Sequence, residues 1–416
     1  MFHIDARWVR KIYYSHLVGN IFNLFFLQGF SYIYPILLIP FLTKTIGMEK
    51  YGLVYFAIAF AWYFQVISEF GFDLSNVRHV VNNKNDKKKL SEILSSITFL
   101  KLFFSLVLFV VYVILVFLLP SFREYYILYL IAYFRVFANS LLPYWLFRSL
   151  ENVKYIARIT LVVKTILITP IFILVKGPED YLVVMIFFVL IEIVSALVAF
   201  FYVLKIYDLK IVRCSSRQLI YLTKDSVPFF TSNIITRLYT RSNMLVIGLV
   251  MGNHMAGIYS VSEKLYNVYA NIVAPLIQHV FYPYFMRIKE RVRMNKIVFI
   301  LVFLNTIALS IMYFVFPMLL PFFVKDSLVE VLKYFPLFLL LLFIDVPVML
   351  LGYPYLGTLN KIKYVNRAAI NSSIFYFLGL VILLLINSIS IPAMVYLLIL
   401  TQLLCLLQLV YFVRLS

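Results

Sequence analysis

Twelve long apolar stretches run through this sequence, at about residues 17–43, 51–81, 93–119, 126–147, 159–175, 181–204, 227–251, 256–286, 297–324, 331–357, 368–386 and 392–412. A helix needs ~20 such residues to cross ~30 Å of hydrocarbon, where every backbone N–H and C=O must find its partner within the protein. Several stretches exceed that minimum, so tilts, kinks or extensions into the headgroups are expected. Charged residues make up only 13% of the chain, about half the ~25% of a soluble domain. That is too little charge for a surface facing water all round. The expectation is an all-α integral membrane protein with twelve transmembrane helices. The first stretch follows Arg7, Arg10 and Lys11, as a signal peptide would, but its apolar run is too long and no small-residue cleavage site follows. It is expected to stay as a span.

Lysines and arginines give the orientation. The N-terminus, the even-numbered loops and the C-terminus hold 25 of the 37 Lys and Arg residues, and the odd-numbered loops hold 5. Basic loops stay cytoplasmic, so both termini are expected inside. The net charge of +19 therefore reads as topology, and no nucleic-acid partner is expected. The basic loop at about 205–226 falls at the chain midpoint. It divides the chain into an N-terminal six-helix lobe (1–204), a cytoplasmic connector (205–226) and a C-terminal six-helix lobe (227–416). Cys214 and Cys405 form no disulfide framework, metal motif or redox motif.

The two halves resemble each other. IGMEKYGLVY carries Gly47 and Gly52, and VMGNHMAGIYS carries Gly252 and Gly257, at an offset of 205 residues. Val153–Arg158 (VKYIAR) matches Ile362–Arg367 (IKYVNR) at an offset of 209, and the basic tract Lys84–Lys89 matches Lys289, Arg291 and Arg293. Six spans is an even number, so the halves would share one orientation, as in transporters built from parallel repeats around a central path.

Seven basic residues remain within the spans: Lys101, Arg135, Lys164, Arg237, Arg241, Lys264 and Lys333. Five acidic residues join them: Glu69, Asp73, Glu192, Glu263 and Asp345. A charge at the bilayer centre costs ~2.5–3.5 kcal/mol on insertion scales, so such residues normally face a cavity or a partner. Lys164 and Lys333 lie near predicted helix ends, where long side chains snorkel to the interface. Arg135 is mid-span. Arg237 and Arg241 share one helix face through their i,i+4 spacing, in a segment rich in hydroxyls and amides, TSNIITRLYTRSN. Such a helix lines water or a polar ligand. The guanidinium fork binds phosphate oxygens in pairs and keeps its charge, so the pair Arg237 and Arg241 suits a diphosphate. The alternative is a structural ion pair with Glu263 or Glu192, and the two roles are compatible. Asn233, Asn243 and Tyr239 of the same segment are candidates for contacts to a polar ligand. Glu192, Glu263 and Asp345 are candidates for a coupling proton or sodium ion. Arg78, Lys101 and Lys264 are cavity or gate candidates.

No Walker loop, zinc motif or nucleophile elbow occurs in the sequence, and the odd-numbered loops are too short to form an outer catalytic domain. No enzyme, cofactor or metal is therefore expected.

The segment LQGFSYIYPILLIPFLTKTIGMEKYGLVYFAIAFAWYFQVISEFGFDLSNVR, followed by NKNDKKKLSEI, resembles the Wzx-type O-antigen and polysaccharide repeat-unit flippases of the multidrug/oligosaccharidyl-lipid/polysaccharide exporter superfamily. Pro143-Tyr-Trp145 leading into SLENVKYI is similar to that family's P-x-W-F-x-Q-G-x-E-x-x-K-Y-I, with Arg148-Ser149 where Gln-Gly is usual. Arg237–Asn243 precedes Ile247-Gly248, and Gly257–Lys264 resembles G-x-Y-S-x-A-E-K, with Ser262 at the alanine. The resemblance implies a MATE-like fold of two six-helix lobes around a central cationic cavity, with Arg135, Arg237 and Arg241 drawing a diphosphate and Asn233, Asn243 and Tyr239 contacting sugars. It also implies alternating access that carries an undecaprenyl-diphosphate-linked oligosaccharide from the inner to the outer leaflet of a bacterial cytoplasmic membrane, among membrane lipids and other polysaccharide assembly proteins. A multidrug or organic-cation antiporter of the same superfamily would want an acidic cavity. A major-facilitator carrier would want a G-x-x-x-D-R-x-G-R loop, which is absent. A membrane-bound polymerase or ligase is the enzyme alternative.

Overall fold

The computed structural model describes residues 37–288, 290–323 and 327–415, except for the side chains of residues 232, 233, 235, 236, 240, 322, 323 and 328. Among the described residues every regular element is helical. The predicted first span lies outside them apart from its end, helix α1 (37–45). Then follow α2 (Gly47–Glu69), α3 (Phe72–Asn82), α4 (Lys87–Leu118), α5 (Pro120–Arg123), α6 (Tyr126–Leu141), α7 (Tyr144–Ser149), α8 (Val153–Leu174) and α9 (Tyr181–Ile206). The second half holds α10 (Ser216–Leu276), α11 (Tyr282–Ile288), α12 (Arg291–Phe323), α13 (Leu328–Leu350), α14 (Ile362–Leu385) and α15 (Ile391–Arg414). Among the described residues ten segments are long and apolar enough to cross a membrane, and the chain is a multi-pass integral membrane protein.

One of the ten, Arg241–Ile288, has 48 residues, about 72 Å at 1.5 Å per residue and far more than one crossing. It is a hairpin. Gly252 breaks α10 with φ 84° and ψ −179°, a conformation that only glycine adopts without strain. The two arms then pass α2 in opposite directions. Before the break, Arg237 bonds Glu69 and Tyr63 donates to Ser242 at 3.3 Å. After it, Lys264 donates to the Tyr51 hydroxyl at 2.7 Å. The predicted seventh and eighth spans are these two arms. The first arm begins at Ser216, capped by the Ser215 side chain, which accepts from the Gln218 N–H. The inter-half loop is thus shorter than 205–226: its last eleven residues (216–226) are helical.

The repeat read from sequence reappears in the backbone. Gly47, at the α1–α2 turn, has φ 78°, matching Gly252. The close approach at this end is reciprocal. A Cβ on Gly52 would lie 1.8 Å from the Asn253 carbonyl oxygen, and one on Gly257 would lie 2.5 Å from that of Met48; all four positions obey the offset of 205. A second pair of turns follows the offset of 209. Glu151 and Asn360 have φ 58° and 60°. Asn152 N–H donates to Phe147 C=O, and Lys361 N–H donates to Leu356 C=O, both at 2.8 Å.

Hydrocarbon removes the hydrophobic drive between helices, so close packing and interhelical hydrogen bonds hold the bundle, at roughly 0.6 kcal/mol per bond on average. Ser105 and Ser140 pair at 2.6 Å, and Tyr133 donates to the Ser105 carbonyl at 2.6 Å, joining α4 to α6. Rings of Phe60, Phe64, Tyr112 and Tyr133 fill the gap between α2, α4 and α6. At the end carrying the basic loops, α3 meets α10: Arg78 and His79 bond Asp225, Ser75 pairs with Ser226 at 2.7 Å, and Phe70 stacks on Phe230. Outward faces of α4 and α12 expose Phe103, Leu106, Phe303, Phe314 and Met318, as lipid-facing helices do.

Candidate functional site

Depth places the site. Arg241 is eleven residues from Gly252 and Lys264 is twelve, so both lie about 16–18 Å from the glycine turn at 1.5 Å per residue. That is about half of ~30 Å of hydrocarbon. Glu192 on α9, Arg135 on α6 and Lys164 on α8 lie a similar number of residues from the same end of their helices. These side chains line adjoining chambers. One of about 290 Å³ is walled by Arg135, Lys164, Glu192 and Lys264. A second of about 200 Å³ shares Arg135 and Lys264 and adds Arg241 and Glu263. A third of about 250 Å³, in the second half, shares Arg241 and Glu263 and reaches Tyr266 and Asp345.

The middle chamber sits on the pseudo-symmetry of the repeat. Tyr55, Ile58, Ala59 and Trp62 of α2 line it, and so do Ser260, Glu263, Lys264 and Asn267 of the second α10 arm. Each α10 position is its α2 counterpart plus 205. The α2 wall is aromatic and aliphatic; the α10 wall is polar and charged. Lys264 spans the gap, with its ammonium 2.8 Å from the Tyr55 ring centroid and bonded to the Tyr51 hydroxyl. Arg241 lies over the Trp62 ring at 5.8 Å.

Arg135 and Arg241 therefore meet around one space, and Arg237 does not join them. Arg237 lies one turn nearer the basic end, bonds Glu69 and lines a separate cavity. Arg135 bonds Glu192, so Glu192 serves first as an arginine partner. For Arg241, no carboxylate among the described residues lies within 4.0 Å of its guanidinium. Four basic side chains (Arg135, Lys164, Arg241, Lys264) face three acidic ones (Glu192, Glu263, Asp345) across the chambers. The lining is mixed, with a small basic excess.

Other candidates fall elsewhere. Asn243 is 1% exposed; its amide donates to the Met394 carbonyl and accepts from the Tyr376 hydroxyl, tying α10 to α14 and α15. Both ends of that side chain are occupied by the bundle. Tyr239 packs on Tyr376 while lining the third chamber. The Asn233 side chain lies outside the described residues. Lys101, 1% exposed, donates to Asp73 at 3.1 Å and joins α4 to α3. Arg78 is exposed and belongs to the α3–α10 contact. Asp345 accepts from the Tyr266 hydroxyl. Lys164 was assigned to snorkelling from a span predicted to begin at 159. The helix begins at Val153, which moves Lys164 to mid-depth and into the first chamber.

Solved structures share this architecture. A multidrug resistance MATE family transporter of the MOP superfamily, in its inward-facing conformation, aligns with TM-score 0.64 at 13% identity, over 90% of this chain and 94% of that one. An outward-facing structure of such a transporter gives 0.51 at 12% identity over 91% and 94%. A eukaryotic MATE transporter gives 0.51 at 13% identity over 95% and 92%. These likenesses show a MATE-like all-α membrane fold. Two relatives carry the name "Putative O-antigen transporter". The one from Shigella dysenteriae is 24% identical over 267 residues, 63% of this chain and 66% of the relative. The one from Escherichia coli K12 is 22% identical over 278 residues, 67% of this chain and 66% of the relative. The match thus spans just under two thirds of each relative's length. The family model described as polysaccharide biosynthesis protein matches residues 17–289, well over half of the chain, and the chain belongs to that family.

Proposed function

We propose that this protein is a flippase, moving undecaprenyl-diphosphate-linked oligosaccharide repeat units from the inner to the outer leaflet of the bacterial cytoplasmic membrane for surface polysaccharide synthesis. The observation that carries this reading is the mid-depth chamber shared by Arg135, Arg241 and Lys264. Shielding a diphosphate from hydrocarbon is the work of such a protein, since an unpaired polar group in lipid costs several kcal/mol. Cations at half depth supply the shield where the barrier is highest, and a prenyl tail stays in lipid. The family and the names of the relatives support a cargo of this kind. In this reading the lobes 1–204 and 227–416 rock about the chamber, and both termini and the basic loops face the cytoplasm. Four basic residues around the chambers disfavour an organic cation. The cargo is carried, not chemically altered.

Glu192 and Arg135 form an exchangeable pair: an arriving phosphate takes the guanidinium, and the carboxylate is released. Glu263 and Asp345, in the adjoining chamber, are the coupling candidates. The test is flipping of a fluorescent undecaprenyl-diphosphate-linked oligosaccharide by the reconstituted protein, with and without proton and sodium gradients. Losing about 1.5 kcal/mol at each arginine lowers the rate of R135Q/R241Q roughly a hundredfold. D345N keeps flipping and loses its gradient dependence. Unchanged flipping by the double variant would refute the diphosphate role, and unchanged gradient dependence in D345N and E263Q would refute the coupling role.

A further inference from the structure

Nearer the basic end, a cavity of about 420 Å³ opens between α2, α3, α6, α7 and the first arm of α10, lined by Gln65, Glu69, Asp73, Asn139, Tyr144, Arg148 and Arg237 among others. Its size is within the range of small-molecule sites. Local structure builds one wall. Pro143 separates α6 from the single turn-and-a-half of α7, which buries Trp145, Leu146 and Phe147 in the core. The i,i+4 pair Tyr144 and Arg148 is left on the opposite face, turned to the cavity.

The charges nearly cancel. Arg237 holds Glu69, and Lys101 holds Asp73 at 3.1 Å. Gln65 donates to Glu69 at 3.1 Å. Ion-paired carboxylates keep spare lone pairs, which accept from hydroxyl groups. Asn139 also lines the cavity, and its shielded Oδ1 has no hydrogen-bond partner among the described residues. No carboxylate among the described residues lies within 4.0 Å of Arg148. Acceptors without surplus negative charge, an aromatic ring and one uncommitted guanidinium match a sugar that carries both hydroxyls and a carboxylate.

Resting on the reading of the cargo as a lipid-linked oligosaccharide, we propose that the α3–α7 cavity is the glycan subsite, and that Arg148 selects a repeat unit bearing a sugar acid beyond its first residue. The diphosphate occupies the chamber at mid-depth while the sugars occupy this cavity. The full-length protein in vesicles is given three probes on undecaprenyl diphosphate: N-acetylglucosamine alone, N-acetylglucosamine–glucose, and N-acetylglucosamine–glucuronic acid. The wild type moves the glucuronate probe about tenfold faster than the glucose probe, as a bidentate arginine–carboxylate contact provides. R148Q abolishes that preference and leaves the single-sugar probe unchanged, R148K retains part of it, and N139L slows both disaccharide probes. Equal disaccharide rates in the wild type overturn the inference while leaving the flippase standing. R148Q slowing all three probes alike also overturns it, placing Arg148 on the diphosphate or a membrane phosphate. Failure to move any probe removes the flippase reading and this inference with it.

Discussion

The two walls of the middle chamber come from equivalent positions of a repeat and have opposite chemistry. Tyr55, Ile58, Ala59 and Trp62 face Ser260, Glu263, Lys264 and Asn267, yet the glycine turns that position them are nearly superimposable in φ. Backbone geometry has been kept, and side-chain chemistry has diverged. For the amphiphilic cargo proposed above, the charged wall would face the phosphates and the ring-lined wall the less polar parts. A symmetric chamber with two Glu-Lys pairs would place more buried charge at mid-membrane, where each costs several kcal/mol unless partnered.

The comparison breaks most severely if the walls cannot approach. Gly52→Val and Gly257→Val each drive a side chain into a carbonyl of the other half, beyond the 1–3 kcal/mol of ordinary overpacking. Both are expected to abolish flipping and to lower the yield of monodisperse protein in detergent, to similar extents because the contact is reciprocal. Full activity in either would deny the close crossing. Next comes the charge itself. K264A should reduce the flipping rate about 10- to 100-fold, the loss of one charge-assisted contact of roughly 1.5–3 kcal/mol. Moving the ammonium to the facing position in K264A/A59K should recover part of that rate. No recovery would mean that the ammonium must lie on Tyr55 and Tyr51, and that the walls are not interchangeable. The smallest effect belongs to the ring: W62L removes a cation–π contact of about 0.5–1 kcal/mol and should slow flipping about two- to fivefold. A larger loss would give Trp62 a direct contact with cargo.

The sequence made the spans, the glycine turns and the embedded charges legible, because hydrocarbon punishes any error in those features. Partners between helices were not legible. Arg237 was a diphosphate candidate with Glu263 or Glu192 as the alternative partners, and it bonds Glu69; Glu192 goes to Arg135. Spacing along one helix says which side chains share a face, but nothing about the rotation of the facing helix. Lys164 was misplaced because α8 begins six residues before its apolar run, through Val153–Arg158, where Lys154 and Arg158 interrupt the apolar residues. Gln65 and Asn139 carry no charge to mark them, and only the close passage of α2, α6 and α10 brings them to one cavity.

The crossing of Gly52 and Gly257 is also a fulcrum. Side chains that interlock resist rotation, and Gly52 and Gly257 bring none of their own to the crossing. From Gly52 to Glu69 the lever is about 25 Å at 1.5 Å per residue, so roughly 20° of pivot moves its far end about 9 Å. That far end carries the Arg237–Glu69 ion pair, Arg78 and His79 on Asp225, a serine pair and a ring stack, and a Cβ on Gly71 would lie 2.7 Å from the Phe230 backbone nitrogen. Opening that end would exchange polar contacts and part a second glycine approach, while the Gly52–Gly257 crossing itself would scarcely move.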